Sequence, residues 1–490
     1  MRGHATSLPA SVLGASAASM ALEIAAARLI APYVGMSLYS WTAIIAVVLA
    51  GLALGHWVGG RLADGPGARR ALAWSLALAA ALSFASPHLL RLTALPVLDA
   101  SAPVPGTVIL TTLAFLLPSL AAGTVAPLAT ALALEGAAEK GRVLGRMFAL
   151  GAGGAILGTL AGGLLLVPEL GAARTAAACA VAYALLAAWV AGGAARIGAL
   201  ALAAGAAVTT AAFGAAWSPC ERESGHFCLR TDEVAPGVRV LALDHLAHGV
   251  NDRDDPQRLA SPYVAAIDAL VAARFPEGPE AAFFLGGGAY TLPRAWAERW
   301  PGARLVVAEI DPTVTRLAEE RLWLDAGGMT VIHRDARAAL REAAGPFDAV
   351  VGDAFADVSI PAHLVTSEFA HEVAAKLAPG GAYAINVVDL KRAPRFATSM
   401  AATLAEAFGV VEMWIAEAAL TPGEARTTWV LLASDAPSPS ARIEAQGGAW
   451  VRVDAARMRA TVPGHRVLTD ERAPVARLLG RLLLDPALAE

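Results

Sequence analysis

The sequence predicts a chain in two parts: a multi-span α-helical membrane domain followed by an α/β, Rossmann-like doubly wound domain. Three observations lead there. Charge is unevenly divided, with 11 Lys/Arg and 6 Asp/Glu up to Trp217 against 27 and 36 in the remaining 273 of 490 residues. The first part is mostly Ala, Leu, Gly and Val, in runs of about the 20 residues that cross a hydrocarbon core roughly 30 Å thick. From about Arg230 the pattern changes to short β-rich runs alternating with amphipathic helices, which argues for a parallel sheet covered by helices. The expected boundaries are 1–217 for the membrane domain, 218–280 for a linker with a small β and helical element, and 281–490 for the main α/β domain.

In the first part about seven apolar spans are expected, near 8–33, 39–60, 70–90, 106–133, 143–167, 172–194 and 197–217. Gly51, Gly55 and Gly59, and again Gly154, Gly158 and Gly162, recur every four residues, a spacing that lets helix backbones approach closely. Ionisable groups at membrane depth are costly and usually paired, so Glu23, Arg28 and His56 are notable. Glu23 and Arg28, five residues apart, share a helix face poorly, and each is expected to meet another helix or the interface. Arg2, Arg61, Arg69, Arg70, Lys140, Arg142, Arg146 and Arg196 gather on one side of such a bundle, against Arg91 and Arg174 on the other. By the positive-inside rule the N-terminus is cytoplasmic and the chain a multi-pass protein of the plasma (inner) membrane. An odd span count then puts everything after Trp217 outside, one span more or fewer reverses this, and the sequence leaves the side of the second part open.

The start, Arg2 and then apolar from about Leu8, imitates a signal peptide, but the run continues past Glu23 and reads as a retained helix. Cys220 and Cys228 lie just after the last apolar run and could pair in an oxidising compartment or remain two reduced thiols.

The second part carries a net charge of −9, with nothing basic enough for nucleic acid. A small β element over Gly237–Leu243 and on to Asn251 precedes a helix from Pro262 to Phe275. Strands are expected at Ala281–Leu285, Arg304–Ile310, Met329–Ile332, Ala349–Val351 and Ala382–Val387. Helices are expected at Leu292–Trp300, Thr313–Leu322 and Glu368–Leu377. Chemistry in such a sheet sits at the carboxyl ends of the strands. The first strand runs into Gly286, Gly287 and Gly288, which permit a tight turn and let a ligand reach backbone N–H groups. Glu309, 21 residues on, ends the next strand, where a carboxylate can accept both hydroxyls of a ribose. Asp335 and Asp353 end two more, and the four strand ends read together as a nucleoside site. Asp335 could equally be a helix cap.

These residues resemble the spermidine synthases, or polyamine aminopropyltransferases, in particular the form fused to an N-terminal membrane domain. The resemblance runs from about Val240 to Val388 through Leu285-Gly286-Gly287-Gly288, Ala308-Glu309-Ile310-Asp311, Arg334-Asp335-Ala336 and Gly352-Asp353-Ala354-Phe355. The stretch from Ile360 to Phe369 is similar to the fused members. So are Ala21-Leu22-Glu23 with Arg28 and Pro32, Gly51 to Gly55, and Gly158 to Gly163 followed by Leu166-Val167-Pro168.

The resemblance implies a methyltransferase-type fold. The reaction it implies is transfer of an aminopropyl group from decarboxylated S-adenosylmethionine to an amine such as putrescine, with release of 5′-methylthioadenosine. Glu309 would hold the ribose, Asp335 with Ala336 the adenine side, and Asp353 the attacking amine, while Tyr263 falls where such enzymes carry a substrate-lining tyrosine. A carboxylate at Asp353 suits the step, since a protonated amine must lose a proton before it attacks. No metal is required, because a sulfonium is already a good leaving group. The chain departs from the family's pattern in three places. Ala289 stands where an aspartate usually follows the glycines, Ala356 replaces a second acid with Asp357 shifted by one, and the usual glutamine is replaced near His248.

Two other readings stay open. A methyltransferase using intact S-adenosylmethionine would share the glycine turn and the ribose carboxylate, and a transporter or sensor could bind a nucleoside or polyamine without turnover. The expected partners are the amine and the lipid bilayer. The sequence leaves the oligomeric state open, with a homo-oligomer among the options.

Overall fold

The computed structural model describes residues 2–191, 193–355, 359–421 and 425–480, with side chains left undescribed at 2–6, 193–194, 211–217 and 461. The chain divides into two compact units, 1–228 and 229–490.

The first unit is helical. Among the described residues six helices are long and apolar enough to cross a membrane: Arg2–Val34 (α1, apolar from Ser7), Leu38–Ala63 (α2), Ala68–Ala100 (α3), Pro103–Leu134 (α4), Lys140–Leu170 (α5) and Ala172–Val190 (α6). The seventh expected span is the helix Gly193–Trp217 (α7), described as an apolar helix over Ala195–Thr210. Two helices are interrupted by π-helical turns, Thr112–Leu116 and Gly162–Leu166. Each turn directly precedes a segment with proline at its second position, Pro118 or Pro168. The proline ring lacks an N–H and collides with the turn before it, and a locally wider turn relieves both problems.

The glycine stripes are contact lines. A Cβ added at Gly59 would lie 2.7 Å from the Thr124 carbonyl oxygen, and one at Gly55 would strike that of Leu120. At Gly154 and Gly158 it would strike the carbonyls of Leu13 and Ala17. α2 therefore touches α4, and α5 touches α1, backbone to backbone. Ile30, Leu72, Leu76 and Phe115 fill the remaining core at 1% exposure or less.

The chain after α7 is fastened to this unit. Cys220 and Cys228 form a disulfide, which decides between the two states left open by the sequence. Glu223 accepts from the Ala172 N–H at 2.5 Å, capping α6, and from the Ser218 hydroxyl at 2.6 Å. Arg28, near the C-terminal end of α1, donates to the carbonyls of His226 at 2.6 Å and Ser224 at 3.4 Å. Its partner is thus backbone beyond the last span rather than another helix.

The second unit opens with an antiparallel sheet of Cys228–Ala235 (β1), Val238–Leu243 (β2) and Leu246–Asp252 (β3), then the helix Pro262–Arg274 (α8). The main sheet contains Ala281–Leu285 (β4), Arg304–Ala308 (β5), Thr330–Ile332 (β6), Phe347–Gly352 (β7), Leu377–Leu390 (β8), Val410–Ala416 (β9), Arg426–Ser434 (β10), Arg442–Ala445 (β11) and Gly448–Val453 (β12). Their order is β11-β12-β9-β10-β8-β7-β4-β5-β6. From β8 to β6 all neighbours are parallel, and from β10 outward all are antiparallel. The sheet is therefore mixed: the strands expected from sequence form its parallel part, and antiparallel strands not expected from sequence extend it on one side.

β4 is buried at all five positions, as a central strand covered on both faces should be. Burying a Phe such as Phe283 contributes about 1.5–3 kcal/mol relative to exposure. From β4 the chain winds outward through β5 and β6, then returns to the other side as β7 and β8. That reversal makes a crevice at the carboxyl ends of β4 and β7.

Candidate active site

A cleft of about 170 Å³ opens at this crevice. Its lining includes Gly286, Gly287 and Gly288 after β4, Asp353 after β7, Asn386 on β8, Tyr263 on α8 and His248 on β3. Gly286 is required by geometry. Its φ is +97°, and a Cβ there would lie 2.7 Å from the carbonyl oxygen of Asp353.

Asp353 is held on both oxygens. The Tyr263 hydroxyl donates to Oδ2 at 3.1 Å, and the Asn386 amide donates to Oδ1 at 2.9 Å. Burial raises its carboxyl to about 6, against the opposing pull of those two hydrogen bonds. Burial and the adjacent Asp353 together push the Tyr263 phenol well above its ordinary value, so it stays a donor. The other amide atom of Asn386, Oδ1, is buried without a hydrogen-bond partner among the described residues. A buried acceptor left this way costs free energy until a donor arrives. Burial lowers His248 to about 4, which keeps its imidazole neutral at physiological pH.

Glu309 is 6% exposed and turned onto the glycine turn. Its Oε2 accepts from the N–H groups of Gly287 at 2.9 Å and Gly288 at 3.2 Å, and Oε1 accepts from that of Asp311 at 2.9 Å. Burial raises its pKa, and the three N–H donors oppose that rise. Glu309 thus joins the ends of β4 and β5 behind the cleft lining. Asp335 caps the helix Ala336–Glu342 (α9) through the N–H groups of Arg337 and Ala338, both at 3.1 Å, and its Oδ2 meets His363 Nε2 at 2.7 Å. Burial pushes its pKa up, but the Ala338 N–H, His363 and the Arg337 N–H outweigh it and hold the carboxyl below its usual value. The cap role left open by the sequence is the one its hydrogen bonds display, and Ala336 is the buried first residue of that helix. Asp357, with Ala356, lies outside the described residues.

Ala289 is 2% exposed, and a Cβ added at Gly249 on β3 would lie 2.5 Å from its own Cβ. The position where the family's pattern has an acid is thus packed against a neighbouring strand. Sequence reasoning missed Asn386, Thr428 and Arg426, all of which line the cleft. For Asn386 a signal existed, a lone amide in the apolar run Ala384-Ile385-Asn386-Val387 near a strand end. Arg426 and Thr428 belong to an antiparallel strand the alternation did not reveal. Among the described residues, no three or more His, Cys, Asp or Glu side chains are grouped so as to hold a metal ion.

No protein-family model matches the chain. It is 33% identical over 144 residues to a polyamine aminopropyltransferase from Vibrio vulnificus, covering 28% of this chain and 48% of that one. It is 30% identical over 119 residues to a probable polyamine aminopropyl transferase from Bifidobacterium longum, covering 24% of this chain and 26% of that one. The matches span about half or less of these curated relatives. A solved structure of a probable spermidine synthase from Corynebacterium glutamicum aligns with a TM-score of 0.44 at 24% identity, covering 50% of this chain and 92% of that one. Over these stretches the chain is similar in sequence to proteins named polyamine aminopropyltransferases.

Proposed function

We propose that the second unit is a polyamine aminopropyltransferase, moving an aminopropyl group from decarboxylated S-adenosylmethionine to putrescine or a related amine and releasing 5′-methylthioadenosine. The observation that carries this reading is the setting of Asp353: a carboxylate at the sheet's reversal point, raised to about 6 and fixed by Tyr263 and Asn386. Such a group is ionised at neutral pH and placed to take a proton from an ammonium, which frees the nitrogen lone pair before it attacks. The nitrogen forms a bond to the carbon beside the sulfonium, the C–S bond breaks, and its electron pair stays on sulfur. Methylthioadenosine leaves neutral, and the surplus proton passes to Asp353. The orphaned Oδ1 of Asn386 supplies an acceptor for a second N–H of the same amine, which orients its lone pair.

The nucleoside would lie along Gly286, Gly287 and Gly288, with Glu309 toward the ribose and Asp335 and Ala336 toward the adenine. Tyr263 and His248 would face the amine, and a role for Asp357, outside the described residues, rests on the sequence alone. The curated relatives named as aminopropyltransferases favour this reaction class. A second reading, methyl transfer from the intact donor, draws on the buried Ala289, where no acid meets a cationic donor tail.

The membrane assignment adds a compartment. Among the described residues six helices are long and apolar enough to span, and we take α7, apolar over Ala195–Thr210, as a seventh crossing. We place the N-terminus in the cytoplasm from the distribution of Lys and Arg. Arg28 sets the C-terminal end of α1 against residues 224 and 226, so the chain leaves the bundle at the end opposite its start. The Cys220–Cys228 disulfide suits an oxidising compartment there. The second unit, which begins at Leu229, would then work outside the cytoplasm.

The test of the reaction is mass spectrometry of products from the full chain in detergent, given decarboxylated donor and a panel of amines. Methylthioadenosine and a lengthened amine, both lost in Asp353→Asn, are expected. Equal product from the variant would overturn the assignment of Asp353.

A further inference from the structure

The membrane unit contains a groove that the transfer reaction does not use. It lies between α3, the end of α6 and α7 and encloses about 1280 Å³. Pockets for small metabolites run to roughly 300–1,000 Å³ and are closed around their ligand. This one runs along the helices. Its α3 wall follows one face at helical spacing, through Arg70, Ala73, Trp74, Ala77, Leu78 and Ala81. Its opposite wall is mostly small groups, Ala187, Ala195, Gly198 and Ala199, with Val190 and Leu202 among them. A Cβ added at Gly198 would meet nothing within 4 Å, so the trough is open there. Trp74 and Leu78 stand at its rim, 67% and 52% exposed.

The polar groups of the groove gather at one end. Arg69 and Arg70 line it, and Arg69 Nε reaches the Val190 carbonyl at 3.5 Å, which holds that side chain at the mouth. This end lies toward the basic side of the bundle, the side of Lys140, Arg142 and Arg146. An apolar trough capped by two guanidinium groups matches a molecule with hydrocarbon chains and an anionic head, and Trp74, one helical turn further along α3, sits where indoles favour the headgroup boundary.

We propose that this groove binds an anionic phospholipid of the cytoplasmic leaflet, with its phosphate between Arg69 and Arg70 and its acyl chains along the alanine-lined trough. Basic pockets between membrane helices on the cytoplasmic side suit such headgroups. The lipid would join α3 to α7, the last helix before the second unit.

Native mass spectrometry of the full chain, titrated with phosphatidylglycerol and with phosphatidylcholine of the same chains, tests this. The wild type is expected to retain phosphatidylglycerol about tenfold better, and Arg69→Gln with Arg70→Gln to bring the two lipids to parity. Arg142→Gln with Arg146→Gln, at the same end but outside the groove, should keep the preference. Gly198→Leu, which fills the trough, should reduce retention of phosphatidylglycerol while leaving both arginines in place. Equal retention of the two lipids by the wild type would overturn the proposal. So would a preference that survives the Arg69 and Arg70 changes, or one that the Arg142 and Arg146 changes abolish equally.

Discussion

The Tyr263 hydroxyl donates to Oδ2 of Asp353 at 3.1 Å, joining the helix before the main sheet to the end of its fourth strand across 90 residues of chain. That bond lowers the carboxyl pKa against the rise imposed by burial. Tyr263→Phe should therefore move the acidic limb of the pH–rate profile upward from about 6. It should also reduce kcat/KM about 10- to 100-fold, as expected for one hydrogen bond to a charged group. Steady-state kinetics across pH 5–8 would show both, and an unmoved limb would separate the phenol from the base.

Asn386→Ala removes the other donor, and its effect has the same sign. The acidic limb should rise, and KM for the amine should rise with it because the Oδ1 acceptor is lost. Asn386→Asp should be worse than Ala, since a second carboxylate beside Asp353 would raise the pair's upper titration further. The measurement is the pH dependence of kcat and KM taken separately.

The same carboxyl makes a prediction about stability. Its folded pKa of about 6 lies above the ordinary 3.8, so the folded state binds its proton more tightly. Its contribution is fully present below about pH 3.8 and is lost as pH rises through 6. Asp353→Asn should therefore stabilise the folded chain at pH 7.5 relative to wild type while abolishing transfer. Denaturation midpoints at pH 4 and pH 7.5 should show the difference growing with pH.

Gly286→Ala places a methyl group at φ +97°, 2.7 Å from the Asp353 carbonyl. Strain of about 1–3 kcal/mol is expected, together with displacement of the strand end that carries the base. Nucleoside binding by calorimetry should weaken at least tenfold, whereas Gly302→Ala, with open space around it, should leave binding unchanged.

The compartment assignment predicts that Cys220 and Cys228 resist alkylation by a membrane-impermeant maleimide until a reductant is added, and then react in intact cells. Labelling only after the membrane is opened would put the second unit in the cytoplasm.

What the sequence revealed follows from the periods it carries. The apolar runs and every-fourth glycines locate the helices and their closest contacts, because crossing length and backbone approach each demand a pattern along one segment. Strands β4 to β7 are legible because central strands read as unbroken apolar runs with acids at their ends. β11 and β12 are not, since partly buried antiparallel strands such as Arg442–Ala445 carry little signal, whereas β9 and β10 are largely buried and sequence reasoning missed them all the same. Asp353 and Tyr263 could be named, but their hydrogen bond joins distant positions and has no local trace. Glu309 and Asp335 are displayed here bonded to backbone N–H groups, a use that alternation alone does not distinguish from ligand binding.

The central claim is aminopropyl transfer with Asp353 as base. It is tested most directly by giving the full chain equal amounts of decarboxylated and intact S-adenosylmethionine together with putrescine, then quantifying the two nucleoside products. Methylthioadenosine in large excess, formed with spermidine and absent from Asp353→Asn, is the predicted result. S-adenosylhomocysteine as the dominant product would contradict the account and identify the second unit as a methyltransferase.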